Sequence, residues 1–161
     1  MIKINIICIG KIKEKYFTDA IAEYAKRLTA FCKFNIIELS EERIKSNIPN
    51  RSQIDEAIFS EGKRIGQKIS PSDYVVAMCI EGKSMSSEEL SKLIDNASVS
   101  GKSTVDFIIG GSYGLDESVN KRADDRLSMI RMTFPHQMAR MILSEQIYRA
   151  FEISSNGKYH K

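Results

Sequence analysis

Tyr159, His160 and Lys161, the last three residues of the sequence, set a phenol, an imidazole and an ammonium side by side. Such a trio can take a proton near neutral pH, stack on or hydrogen-bond to a ring, and hold an anion. Terminal residues fray unless tied down, so the trio is either a polar end or part of a working site. The only other histidine, His136, follows Pro135 and opens a helical pattern. A helix N-terminus disfavours the imidazolium, which makes His136 a neutral capping residue first and a catalytic candidate second. On the same pattern Glu145 and Arg149 stand at i, i+4. They form either a simple helix pair or a carboxylate aiming a guanidinium at an anion. Gly110-Gly111-Ser112-Tyr113-Gly114 is a tight turn or a loop whose amides can approach a ligand. It matches neither the dinucleotide-binding glycine pattern nor the phosphate-binding loop.

These residues must be carried by alternating strands and helices. Lys3–Ile9 is isoleucine-rich and closes on Gly10, as a buried strand does. Glu14–Phe31 sets Phe17, Ala20, Ile21, Tyr24 and Leu28 on one helical stripe. Phe34–Leu39 reads as a strand and Ser40–Ser52 as a polar loop. Gln53–Ile69 reads as a helix in which Gly62 and Gly66 mark either close backbone approach to a sheet or weakness. Asp73–Ile80 is an apolar strand, and Ser86-x-x-Glu89 is a capping box opening a helix through Ser98. Thr104–Ile109 is a strand running into the glycine loop, followed by a brief helix at Asp116–Ala123. Leu127–Phe134 is expected as the last strand. His136–Ile153 is expected as a long helix with Met138, Met141, Ile142, Ile147 and Phe151 inward. Strands separated by helices imply a largely parallel α/β sheet, with ligands beyond the carboxyl ends of its strands.

Composition narrows the partners. The hydrophobic share of 42% and the lack of a roughly 20-residue apolar run argue against a membrane span. Cys8, Cys32 and Cys79 are odd in number, scattered and in apolar contexts, which predicts reduced, buried thiols in a cytoplasmic protein. With two histidines and no C-x-x-C pair, no metal site is expected. The chain carries only +3 overall, but from residue 121 onward eight Lys/Arg face four acids. Basic charge gathered toward one end suits phosphate contact, and equally suits a solvated helix face.

Taken together, four segments are far more specific than any one of them. Phe107–Leu115, Met132-Thr133-Phe134-Pro135-His136, Glu145–Ala150 and Tyr159-His160-Lys161, with Ile80-Glu81-Gly82-Lys83, resemble end to end the RlmH family of the SPOUT superfamily. These are bacterial 23S ribosomal RNA pseudouridine-N3 methyltransferases. The resemblance implies one domain over residues 1–161, with a parallel-sheet α/β SPOUT fold and a C-terminal trefoil knot, and a homodimer. It implies S-adenosyl-L-methionine as cofactor, contacted by Met78, Gly110, Met129, Ile130, Arg131, Met132, Thr133 and Phe134. The implied catalytic set is His160 as general base with Tyr159, Arg149 and Lys161 beside the base or its phosphates, and the tail is expected to complete the partner subunit's site. Two other readings stand beside it: a SPOUT enzyme for another RNA position, and a non-catalytic ribosome- or RNA-binding module. Gly157, just before the trio, predicts a flexible approach. Lys161 stands where some relatives carry Arg, leaving a point charge instead of a bidentate fork.

Overall fold

The computed structural model describes all 161 residues. Five parallel strands lie in the order β2-β1-β4-β3-β5. They are β1 (Lys3–Ile9), β2 (Lys33–Leu39), β3 (Tyr74–Ser84), β4 (Thr104–Ile109) and β5 (Asp125–Ser128). Between and after them run α1 (Lys15–Leu28), α2 (Arg51–Gly66), α3 (Ser87–Val99), α4 (Glu117–Arg122) and α5 (His136–Ser154). The period of two in the central strands divides their side chains between the faces. Ile4, Ile6, Val76, Val105 and Phe107 form the larger core with Leu28 of α1, Leu90 and Leu93 of α3, and Leu143, Ile147 and Ala150 of α5. Ile7, Ile9, Val75 and Ile108 face Ile65 of α2 and Val119 of α4. Each such fully buried aliphatic side chain contributes about 1.5–3 kcal/mol.

Local chemistry fixes where the helices start. The predicted Ser86/Glu89 capping box is formed, and a second joins Asn50 and Gln53 at α2. A box of this kind satisfies two otherwise orphaned helix amides and is worth about 1 kcal/mol. Ser91 Oγ donates to Ala150 O at 2.7 Å and Ser87 Oγ to Gln146 Oε1 at 2.6 Å, joining α3 to α5.

Three expectations need correction. Leu127–Phe134 is not one strand: β5 ends at Ser128, and Met129–Pro135 leave the sheet. β5 is an edge strand, and its only partner, β3, breaks register between Met78 and Lys83. Of the expected inward face of α5, Ile147 is in the core and Phe151 packs against it, but Met138, Met141 and Ile142 are only half-buried, and Arg140, Leu143, Ser144 and Ala150 take the inward positions. Arg140 is buried because Nη2 donates to Ile9 O at 2.6 Å and Nη1 reaches Glu38 Oε2 at 3.2 Å. Of the cysteines, Cys8 and Cys32 are buried, with thiols pushed up by desolvation to about 11 and about 12, whereas Cys79 is only half-buried.

Candidate active site

A cavity of about 510 Å³ opens at the carboxyl ends of β4, β3 and β5. Each strand delivers one wall. From β3 come Met78 and the Cys79–Glu81 segment, which bulges out where the register with β5 breaks. β4 contributes Ile109 and runs into Gly110–Leu115. After β5, Met129, Ile130, Met132, Thr133 and Phe134 close the third side, with His136 at the start of α5 beneath them. The apolar sequence that looked like a continuing strand therefore walls a cavity.

Glycine is required at two of these walls. A Cβ on Gly110 would sit 2.6 Å from Gly114 O, because the loop closes on itself through a Gly111–Gly114 bridge. One on Gly82 would sit 2.5 Å from Leu127 C, where the β3 bulge crosses β5. Gly110 thus serves the tight turn first, and the turn presents its backbone to the cavity. His136 has a lowered pKa, from burial and then from the Arg140 charge, with Glu41 opposing, so its ring is neutral at pH 7. It does not occupy the cap position, which belongs to Pro135.

The C-terminal trio is ordered on its own chain. Asn156, in the left-handed region with φ 56°, reverses the backbone after α5, and Gly157 N bonds back to Glu152 O at 2.7 Å. Gly157, expected to loosen the approach to the trio, sits in this turn. Tyr159 stacks edge-on against Tyr148 with centroids 4.9 Å apart, donates to Glu145 Oε1 at 3.1 Å, and lies 4.7 Å beneath the Arg149 guanidinium. Burial, followed by hydrogen bonds to Tyr24 and Glu145, raises the Tyr159 pKa and keeps the phenol protonated. Arg149 is gripped by Glu145 through Nε at 2.9 Å and through Nη2. His160 sits between Arg149 Nη1, 3.3 Å from Nδ1, and Glu88 Oε1, 2.8 Å from Nε2. Lys161 is exposed.

Met78, Gly110, Met129, Ile130, Met132, Thr133 and Phe134 all line the cavity, and Arg131 does not. Tyr159, His160 and Arg149 form one cluster, but away from the cavity of the same chain. Arg149 lies thirteen positions beyond His136 on α5, roughly 20 Å at 1.5 Å per residue. Two residues escaped sequence reasoning. Asn120 lines the cavity, and its buried Oδ1 has no hydrogen-bond partner. Glu88 holds His160, yet in the sequence it is only an acidic residue in a helix first turn, an ordinary place for one.

A family model described as "Predicted SPOUT methyltransferase" matches residues 2–160. A protein of Lactiplantibacillus plantarum named "Ribosomal RNA large subunit methyltransferase H" is 49% identical over 158 residues, covering 98% of this chain and 99% of the relative. Like-named proteins of Streptococcus pyogenes and Clostridium botulinum are 48% and 51% identical, over 99% and 98% of this chain and 99% of each relative. A solved structure titled "The structure of a probable methylase family protein from Haemophilus influenzae Rd KW20" matches with a TM-score of 0.52 at 14% identity. It covers 100% of this chain and 72% of that one, a likeness of fold alone.

Proposed function

The chain belongs to the SPOUT methyltransferase family, and on that premise we propose that it methylates N3 of a pseudouridine in 23S ribosomal RNA of assembled ribosomes, with S-adenosyl-L-methionine as donor. The observation that carries the reading is the convergence of three distant segments, at Met78, Gly110 and Met129–Phe134, on one cavity. The names of the full-length relatives supply the acceptor class.

The cavity suits the donor. Its volume of about 510 Å³ falls in the range of cofactor pockets. Met78, Met129, Ile130, Met132 and Phe134 offer apolar walls to an adenine, and the unpartnered Oδ1 of Asn120 offers an acceptor to an amino group. The backbone at Gly110 provides polar groups without side-chain bulk. When bound, the donor supplies an electrophilic methyl carbon. What remains for the protein is alignment and removal of the N3 proton. His160 accepts that proton, Tyr159 stacks on or bonds to the base, and Arg149 and Lys161 hold phosphate or developing negative charge.

Catalysis by this set needs two copies of the chain, because the tail lies far along α5 from its own cavity. That separation supports a homodimer in which each tail serves its partner's cavity. The C-terminal segment is threaded as a trefoil knot. Supporting this are the tight crossing of the Gly82 bulge over Leu127–Ser128 and the return of α5 from the cavity onto α1 and α3. True knots are rare, so the family provides the main support. A net charge of +3 gives little grip on naked RNA, which favours the assembled ribosome as substrate.

The test is transfer of label from S-adenosylmethionine to undermethylated ribosomes, separated subunits and free rRNA. Label in the large-subunit RNA of ribosomes is expected. Donor binding with no label in any RNA would leave a binding module instead.

A further inference from the structure

The hydrogen bonds around His160 determine which nitrogen carries its proton. A guanidinium has donors only, so the ring nitrogen facing Arg149, Nδ1, must be the acceptor. Nε2 then bears the hydrogen and donates it to Glu88 Oε1 at 2.8 Å. Glu88 itself is fixed as an anion. Its carboxyl is held below the usual range by its own backbone N–H in the first turn of α3, then by His160 and Ser86. On the other side Arg149 is tied by Glu145 and floored by the Tyr159 ring. The groups facing the imidazole are therefore Glu88 from α3 and Arg149 from α5. Behind Arg149 stand Glu145 and Tyr159, with Tyr24 of α1 against Tyr159 and Lys161 next in the chain.

Building on the methyl-transfer reading, we infer that Glu88 is a positioning residue for His160: it takes the Nε2–H, fixes the tautomer, and presents Nδ1 as the lone pair that receives the substrate proton. In the substrate-free chain Arg149 occupies that lone pair. An oxygen of the incoming nucleotide, from the ring or from phosphate, draws the guanidinium away and frees Nδ1. The N3–H proton then moves to Nδ1, the N3 electron pair bonds to the methyl carbon, and the carbon–sulfur pair leaves with sulfur. The resulting imidazolium is stabilised by the Glu88 carboxylate at Nε2, and its Nδ1–H releases the proton to solvent. No oxidant or further reactant is needed, and Glu88 stays ionised throughout, as the carboxylate of a carboxylate–histidine pair does.

With only two histidines in the sequence, imidazole nitrogen NMR can read His160 directly, using His160→Ala to assign it. In wild type the Nε2–H tautomer is expected. Glu88→Gln and Glu88→Ala should mix the tautomers. In the transfer assay kcat should fall about tenfold, with KM for the donor unchanged. Glu88→Asp should recover part of the rate. An unaltered His160 spectrum in Glu88→Ala, or kcat within twofold of wild type, overturns the inference. Neither result touches the wider reading, which fails if wild type itself transfers no methyl group or places it elsewhere. The NMR measurement decides the role of Glu88 in that event as well.

Discussion

His160 is the residue on which the proposed proton transfer depends, and its surroundings make a sharp expectation. His160→Ala should cut methyl transfer by about 100-fold or more, the usual worth of a positioned base. Donor affinity measured by calorimetry should not change, because in the proposed site the donor lies against Met78, Gly110 and Met129–Phe134 while His160 faces the acceptor base. A second titrating residue lies outside the site. Asp106 is fully buried in β4, accepts from Asn5 Nδ2 at 2.7 Å, and has an unpartnered Oδ2. Desolvation is the main cause of its raised pKa of about 6, with the Asn5 bond opposing and the Asp73 carboxylate adding to the rise. The folded state therefore binds this proton more tightly than the unfolded chain, whose value is about 3.9. Stability contributed by the protonated form is complete below the unfolded value and is lost as pH rises through about 6. Asp106→Asn should flatten that part of the pH–stability curve and raise stability at pH 7.5 by about 1–3 kcal/mol in urea titrations.

At the scale of elements, the two helical glycines of α2 give opposite expectations. A Cβ on Gly62 would lie 2.7 Å from Asp116 Cβ, at the residue that caps α4. Nothing lies within 4 Å of one on Gly66. Gly62→Ala should cost about 1–3 kcal/mol by overpacking, whereas Gly66→Ala should gain about 0.5–1 kcal/mol. Thermal denaturation would show a fall of several degrees for the first and a small rise for the second. Gly62 thus marks close approach, though to α4 and not to the sheet. Local sequence located every element but β5, and the capping box at Ser86, since those depend on nearby residues. It misplaced Met129–Phe134 because an apolar run signals burial without saying what buries it. It missed Arg140 because only β1 and β2, distant in sequence, supply the partners that let a guanidinium enter the core.

For the whole molecule, the cavity residues were legible through the family resemblance, and all but Arg131 meet in one place. Asn120 and Glu88 were not, since each acquires meaning only from residues brought near by folding. Under the proposed function, the separation of tail and cavity calls for a pair of chains as the working unit. Mixing a cavity variant, Gly110→Val, with His160→Ala under conditions of subunit exchange should restore up to about a quarter of wild-type transfer. That fraction corresponds to the one intact cavity–tail combination in a mixed dimer at half of all dimers. No restoration, with exchange verified by mass, would confine each site to one chain. The most direct measurement of the central claim is the identity of the modified nucleoside. Large-subunit rRNA from ribosomes incubated with the protein and S-adenosylmethionine would be digested and read by mass spectrometry. N3-methylpseudouridine at a single position, missing when His160→Ala is used, is the predicted result. A methyl group on a different nucleotide or ring atom, or an rRNA left unchanged, would contradict it.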